Sequence, residues 1–207
     1  MTISNQQSAI SVLQAQRSNP FFLNSKDNGF SLIEALVVIA VLSIFAVLAI
    51  PMFSDLTQNN RMRAQVSNLV GQFAQARTEA MRRGFRVTMC PGTETGCSGN
   101  QWENGLIAFV DIDADGVRDN GEEIILVGAA LTGNNTMRSS KFPTSISFRY
   151  DGTLPEVNGS LEKGSFVVCD SRGFGEHARA LNILATGRIK IFDSNESGSG
   201  VDSCDDT

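Results

Sequence analysis

The stretch Phe30-Ser-Leu-Ile-Glu34-Ala-Leu-Val-Val-Ile-Ala40-Val-Leu-Ser-Ile-Phe45-Ala-Val-Leu-Ala-Ile50 decides the architecture. It holds one charge, Glu34. As a helix of about 21 residues it is roughly 32 Å long, enough to cross a hydrocarbon core of about 30 Å. A cleaved secretory signal has a shorter apolar run, about 7–15 residues, followed by a small-residue cut site. Here the run is longer and leads into more helix, so residues 30–50 read as a membrane-spanning segment. A carboxylate inside such a segment costs about 2.5–3.5 kcal/mol at the bilayer centre and less near an end. Glu34 therefore has two readings, an interfacial acid or an acid kept for a cationic partner.

The flanks orient the segment only weakly. Residues 1–28 are polar, with Arg17 and Lys26 ahead of the segment, and Arg61 and Arg63 follow it at similar distance. The cysteines say more. All 4 lie beyond the segment, which places the C-terminal part in an oxidising compartment. Downstream, Met62, Val66, Leu69, Phe73, Ala76 and Ala80 are spaced as one face of a helix, with Arg61, Arg63, Arg82 and Arg83 off that face. Gly84 is a suitable residue to end it. The spacing predicts one helix of roughly fifty residues. Its first half, 30–50, lies in the membrane, and its second half, 51–84, is amphipathic and packs on a head. Pro51 and Gly71 are the places where it bends or weakens.

From Phe85 the pattern changes to short alternating runs: Phe85–Met89, Leu106–Asp111, Glu123–Val127, Ser145–Tyr150, Ser165–Cys169, Ala180–Leu184 and Arg188–Phe192. Gly, Asn, Asp and Pro clusters separate them. The expected fold is α+β, with a long N-terminal helix packed on an antiparallel β head, 85–207. The whole chain of 207 residues is 42% hydrophobic and 19% charged, which excludes a disordered chain or a coiled-coil rod. Its net charge of -5 disfavours a general nucleic-acid binder, and its single His, His177, excludes a His-rich metal site. No Ser-His-Asp order, phosphate loop or dinucleotide fingerprint is present, so no enzyme is expected.

Four cysteines allow three pairings. Cys90 and Cys97 bracket a turn-rich hexapeptide, Pro-Gly-Thr-Glu-Thr-Gly. Cys169 ends an expected strand, and Cys204 sits near the end of an acidic, Gly/Ser-rich tail. We expect Cys90–Cys97 and Cys169–Cys204, the second fastening the tail to the sheet. The spacing of neither pair suits zinc.

Gly29-Phe30-Ser31-Leu32-Ile33-Glu34 resembles the processing motif of type IV pilins and type II secretion pseudopilins. The head strings Met89-Cys90-Pro91-Gly92, Trp102-x-x-Gly105, Phe109-Val110-Asp111, Cys169-Asp170-x-Arg172-Gly173 and Ala185-Thr186-Gly187-Arg188 resemble the GspH/FimT group within it. The resemblance implies a leader, 1–29, removed by a prepilin peptidase between Gly29 and Phe30, with methylation of Phe30. It implies an assembly helix in which the new α-amino group, cationic at neutral pH, pairs with Glu34 of its own or a neighbouring subunit. Pro51 stands where pilins carry a helix-kinking proline. The implied protein spans the bacterial inner membrane once, surrounded by its lipid, with the head in the periplasm. It then joins a pilus or pseudopilus. Its partners are other minor pilins or pseudopilins and the major pilin. The implied role is structural, priming or capping a type IV pilus, with the H pseudopilin of a type II secretion system as the alternative.

Two local patterns remain. Asp111, Asp113, Asp115, Gly116, Asp119 and Glu122 fit the D-x-[DN]-x-[DN]-G-x5-E spacing of a calcium loop. Its flanks read as strands rather than helices, so the other reading is an acidic hairpin loop without a cofactor. The resemblance favours that second reading. Gly187-Arg188-Ile189-Lys190 reads as an exposed strand with its polar side outward. In the resembling group, however, some members bind DNA during uptake through a C-terminal Gly-Arg-x-Arg. On that analogy Arg188 and Lys190 are the phosphate contacts, with Arg172 and Arg179 extending the patch. Lys190 keeps the charge but not the guanidinium fork. The acids of residues 193–207 oppose DNA there.

Overall fold

The computed structural model describes residues 29–205. The segment 1–28, most of the expected leader, and residues 206–207 lie outside the described part. The chain divides into two units, Met1–Val47 and Leu48–Thr207. A single helix, α1 (Leu32–Arg83), begins in the first and continues in the second, unbroken at Pro51 and Gly71. Its first bond runs from the Ala35 N–H to the Ser31 carbonyl (3.1 Å). Glu34 lies in its first turn and Arg82 and Arg83 in its last, each on the side its charge prefers along the helix dipole. Gly84, at φ 74°, closes it in the left-handed conformation, its N–H reaching the Ala80 carbonyl at 3.0 Å.

Eleven strands follow among the described residues. The first sheet has the order β6 (Ile146–Phe148), β1 (Arg86–Thr93), β3 (Leu106–Asp111), β4 (Ile124–Gly128), with β2 (Gly96–Cys97) paired to the far end of β1. All its pairs are antiparallel, with Val87 opposite both Val110 and Phe148, and Met89 opposite both Ala108 and Ile146. The second sheet has the order β11 (Ile189–Asp193), β10 (Arg179–Ile183), β9 (Gly164–Cys169), β5 (Thr136–Arg138). β7 (Glu156–Val157) and β8 (Ser160–Leu161) make a separate hairpin.

Period-two alternation sorts the strand side chains. Val87, Met89, Leu106 and Ala108 of the first sheet, and Phe166, Val168, Leu181 and Ile183 of the second, enter one core. The stripe Met62, Val66, Leu69, Phe73, Ala76 and Ala80 of α1 fills the same core. Phe73 meets Phe166 with ring centroids 5.3 Å apart, and Trp102 stands edge-on to Phe166 at 5.0 Å. The buried Trp102 indole donates to the Phe142 carbonyl at 3.0 Å, which satisfies its one polar atom. Arg77 Nε donates to the Gly152 carbonyl (2.7 Å) and Gln65 Nε2 to the Thr132 carbonyl (3.0 Å), so loops as well as sheets are tied to the helix.

The fold is the expected α+β arrangement, and each of the seven expected strands has an observed counterpart. Four further strands, β2, β5, β7 and β8, hold two or three residues each, too few to display alternation. At the other end of the chain, Arg188 was expected to open the last strand. Instead it follows the turn at 185–187, its carbonyl accepting the Leu184 N–H at 2.9 Å, and the strand starts at Ile189.

Candidate functional site

Gly29 and Phe30 precede α1, and Phe30 is 81% exposed. Glu34 is exposed in the first turn, where the helix dipole alone favours a carboxylate. The apolar residues after it have no such local reason to be there. Leu36, Val37, Ile39, Leu42, Ile44 and Phe45 are all exposed, and none of the described residues of the apolar window is buried. Such a surface is stable only when lipid or other helices cover it.

The disulfides join Cys90 to Cys97 and Cys169 to Cys204. The second holds the tail on the outer face of β9 and β10, where Val201 packs with Val167, Ala178 and Ala180. Ser165 Oγ and Asn182 Nδ2 donate to the tail carbonyls of Ser199 (2.9 Å) and Gly198 (3.3 Å).

The four basic residues named above separate into two kinds. Arg172 is largely enclosed, with bonds to Asp170 (2.6 Å) and to Asn59 on α1 (2.8 Å). Arg179 pairs with Asp193 across the β10–β11 ladder (3.0 Å). Arg188 and Lys190 are exposed and make no ion pair among the described residues. Gly187 has a structural reason of its own. At φ 72° it brings the turn against the Gly152 carbonyl and Arg77, where a Cβ would collide. Of the four, only Arg188 and Lys190 thus offer exposed, unpaired positive charge among the described residues, beside Asp193, Glu196, Asp202 and Asp205, all exposed.

The acidic loop connects β3 to β4. Asp111 is the last residue of β3 and only 1% exposed. Its Oδ2 accepts the Thr88 hydroxyl (2.5 Å) and the Gly116 N–H (3.2 Å). Thr88 in turn shares a hydrogen bond with Ser147 of β6 (2.7 Å). Burial pushes the Asp111 carboxyl up, against the Thr88 hydrogen bond and the Arg86 charge, which pull it down. The loop turns through left-handed Ala114 (φ 66°) and Gly116 (φ 83°). Carboxylate oxygens of Asp111, Asp113 and Asp115 lie within 4.8 Å of one another. Asp119 and Glu122 stay outside that group. Both Glu122 oxygens accept backbone N–H groups instead, from Ile112 (2.8 Å) and Asp119 (2.9 Å), fastening the two ends of the loop together. Sequence reasoning missed Thr88 and Arg86, whose Nη1 donates to the Ala114 carbonyl at 2.9 Å. A Thr set between Val87 and Met89 was the available signal.

A long apolar helix directly after Gly29-Phe30, leading into a disulfide-tied antiparallel head, is the architecture of a pilin-like structural protein. The family model described as Type II transport protein GspH matches residues 65–187, more than half of the chain, and the chain belongs to that family. The prokaryotic N-terminal methylation motif matches residues 24–50. The fold is shared with the type IV minor pilin FimU of Pseudomonas aeruginosa (strain PAO1) in two crystal forms. One has TM-score 0.54 at 20% identity, over 72% of this chain and 98% of that one; the other has TM-score 0.50 at 20% identity, over 69% and 98%. No curated protein matches the chain. Family and fold are those of minor pilins and pseudopilins, membrane-anchored subunits that associate with other pilins, and not those of enzymes.

Proposed function

We propose that the chain is cut between Gly29 and Phe30 by a prepilin peptidase, methylated on Phe30, and anchored in the inner membrane with its head in the periplasm. It then serves as a low-abundance subunit that primes or caps a type IV pilus, beside the major pilin. The observation that carries this reading is the exposed apolar stretch 30–50, most of it helical, with Glu34 as its single charge. In a bundle of such helices, a carboxylate paired with a neighbour's α-amino group rewards correct register, because an unpaired buried charge is costly. Pro51, which has no N–H to give the Val47 carbonyl, marks where the assembly segment yields. The structural likeness to FimU, a type IV minor pilin, supports a pilus over the alternative, the H pseudopilin of a type II secretion system. The test is Glu34→Ala in the producing cell. We predict a protein that is processed and membrane-bound but missing from sheared filaments; normal incorporation would overturn the pairing.

A second reading rests on the exposed, unpaired Arg188 and Lys190 among the described residues. They are phosphate contacts of a DNA-binding minor pilin. We predict that the detergent-solubilised chain binds DNA with an affinity that falls steeply with salt, and that Arg188→Ala/Lys190→Ala abolishes it. Absence of binding at low salt removes this reading and leaves the assembly role.

A further inference from the structure

The strongest unexplained feature lies in the β3–β4 loop. Asp111 is 1% exposed, and its Oδ1 has no hydrogen-bond partner among the described residues. A buried carboxylate oxygen left unpartnered costs free energy unless a cation or donor reaches it. Among the described residues no side chain or N–H hydrogen-bonds to Asp111 Oδ1. Thr88 and Gly116 both serve Oδ2. Arg86 reaches the Ala114 carbonyl instead, and Arg118 Nη2 the Glu122 carbonyl (3.4 Å).

We propose that this loop binds a calcium ion, with Asp111, Asp113 and Asp115 as its side-chain ligands. Two oxygens on one Ca²⁺, each at about 2.3–2.6 Å, stand no more than about 5 Å apart. The three carboxylates already meet that limit, lying within 4.8 Å of one another. Hard carboxylate oxygens with no sulfur or imidazole nearby select a hard cation. Asp113 and Asp115 are exposed, so the site is open to water and adaptable in geometry, which suits Ca²⁺. Mg²⁺ demands a tighter octahedron and gives up its waters reluctantly. Glu122 is a positioning residue. By accepting the Ile112 and Asp119 N–H groups it holds the loop closed around the three aspartates without entering their cluster. Arg86 and Arg118 hydrogen-bond to carbonyls and make no ion pair with these three carboxylates, although the Arg86 charge acts on Asp111 from a distance. Asp115 Oδ1 accepts the Val117 N–H (2.7 Å), which leaves each carboxylate an oxygen for a dication.

The test uses the full chain in non-ionic detergent, stripped with chelator and titrated with CaCl₂ in a calorimeter, with MgCl₂ as the control. The expected result is about one Ca²⁺ per chain with a Kd of about 10⁻⁴–10⁻³ M, as in extracellular calcium modules, and no comparable heat with Mg²⁺. Asp113→Asn/Asp115→Asn alters only exposed side chains, so the head still folds, and we expect at least about a ten-fold weaker affinity. The Ca²⁺-dependent rise in thermal midpoint should vanish with it. No uptake by the wild-type chain at about 10 mM Ca²⁺ overturns the proposal. So does uptake that the double variant leaves unchanged.

Discussion

Arg172 illustrates how a single side chain is spoken for by its surroundings. Burial pushes the Asp170 carboxyl up, but the hydrogen bonds and charge of Arg172 outweigh it and hold the group below the usual carboxylate range. The adjacency Asp170-x-Arg172 was legible in the sequence. The bond from Arg172 to Asn59 was not, because it joins positions 113 residues apart. The pH consequence has a definite sign. A depressed acid stabilises the fold fully above the ordinary carboxylate range, and that contribution is lost as pH falls through the lowered value. A separate ion-pair system at the C-terminal end of α1 adds to the same trend, since hydrogen bonds from Arg82 and Arg83 lower Glu79 to about 2. We predict that Arg172→Met lowers the thermal midpoint at about pH 6, and that its gap from the wild type narrows toward about pH 3. A gap independent of pH would assign Arg172 to packing and its Asn59 bond alone.

Among the elements, what was readable depended on length. α1 declared itself through an apolar run and then a stripe, and the stripe residues from Met62 to Ala80 are the ones that enter the core. Longer strands such as β3 and β9 were legible as apolar runs between turn clusters. Thr136–Arg138 buries only Met137, and a single inward position shows no period. The two disulfides differ in what they close. Cys169–Cys204 spans 35 residues and contains β10 and β11, whereas Cys90–Cys97 spans 7 and contains only the end of β1, a turn and β2. Chain-entropy arithmetic assigns about 4 kcal/mol to the first and about 2.5 kcal/mol to the second. We predict that Cys169→Ser/Cys204→Ser lowers the urea midpoint more than Cys90→Ser/Cys97→Ser does. Equal losses would mean that packing of Val201 and the tail hydrogen bonds, rather than the cross-link, hold the C-terminal segment.

For the molecule as a whole, one chain serves two solvents. The described part of its first unit is apolar apart from Glu34 and a few small polar residues, and exposed, whereas from Met62 onward the chain packs a core between a helix and two sheets. That division was plain from composition along the chain. The acidic loop was legible as a ligand spacing, but its working parts were not. The pattern treats Asp119 and Glu122 as ligands, while the fold turns Glu122 toward backbone N–H groups and sets Asp119 apart. Only the three-dimensional setting shows that Asp111 is the buried member, braced by a threonine from the neighbouring strand. The tail disulfide also bears on how the molecule responds to force. Pulled between α1 and its C-terminal end, the chain would have the 35 residues from Cys169 to Cys204 withheld from extension, about 120 Å of contour. The second sheet's last two strands would then shear as a closed ring instead of peeling away one at a time.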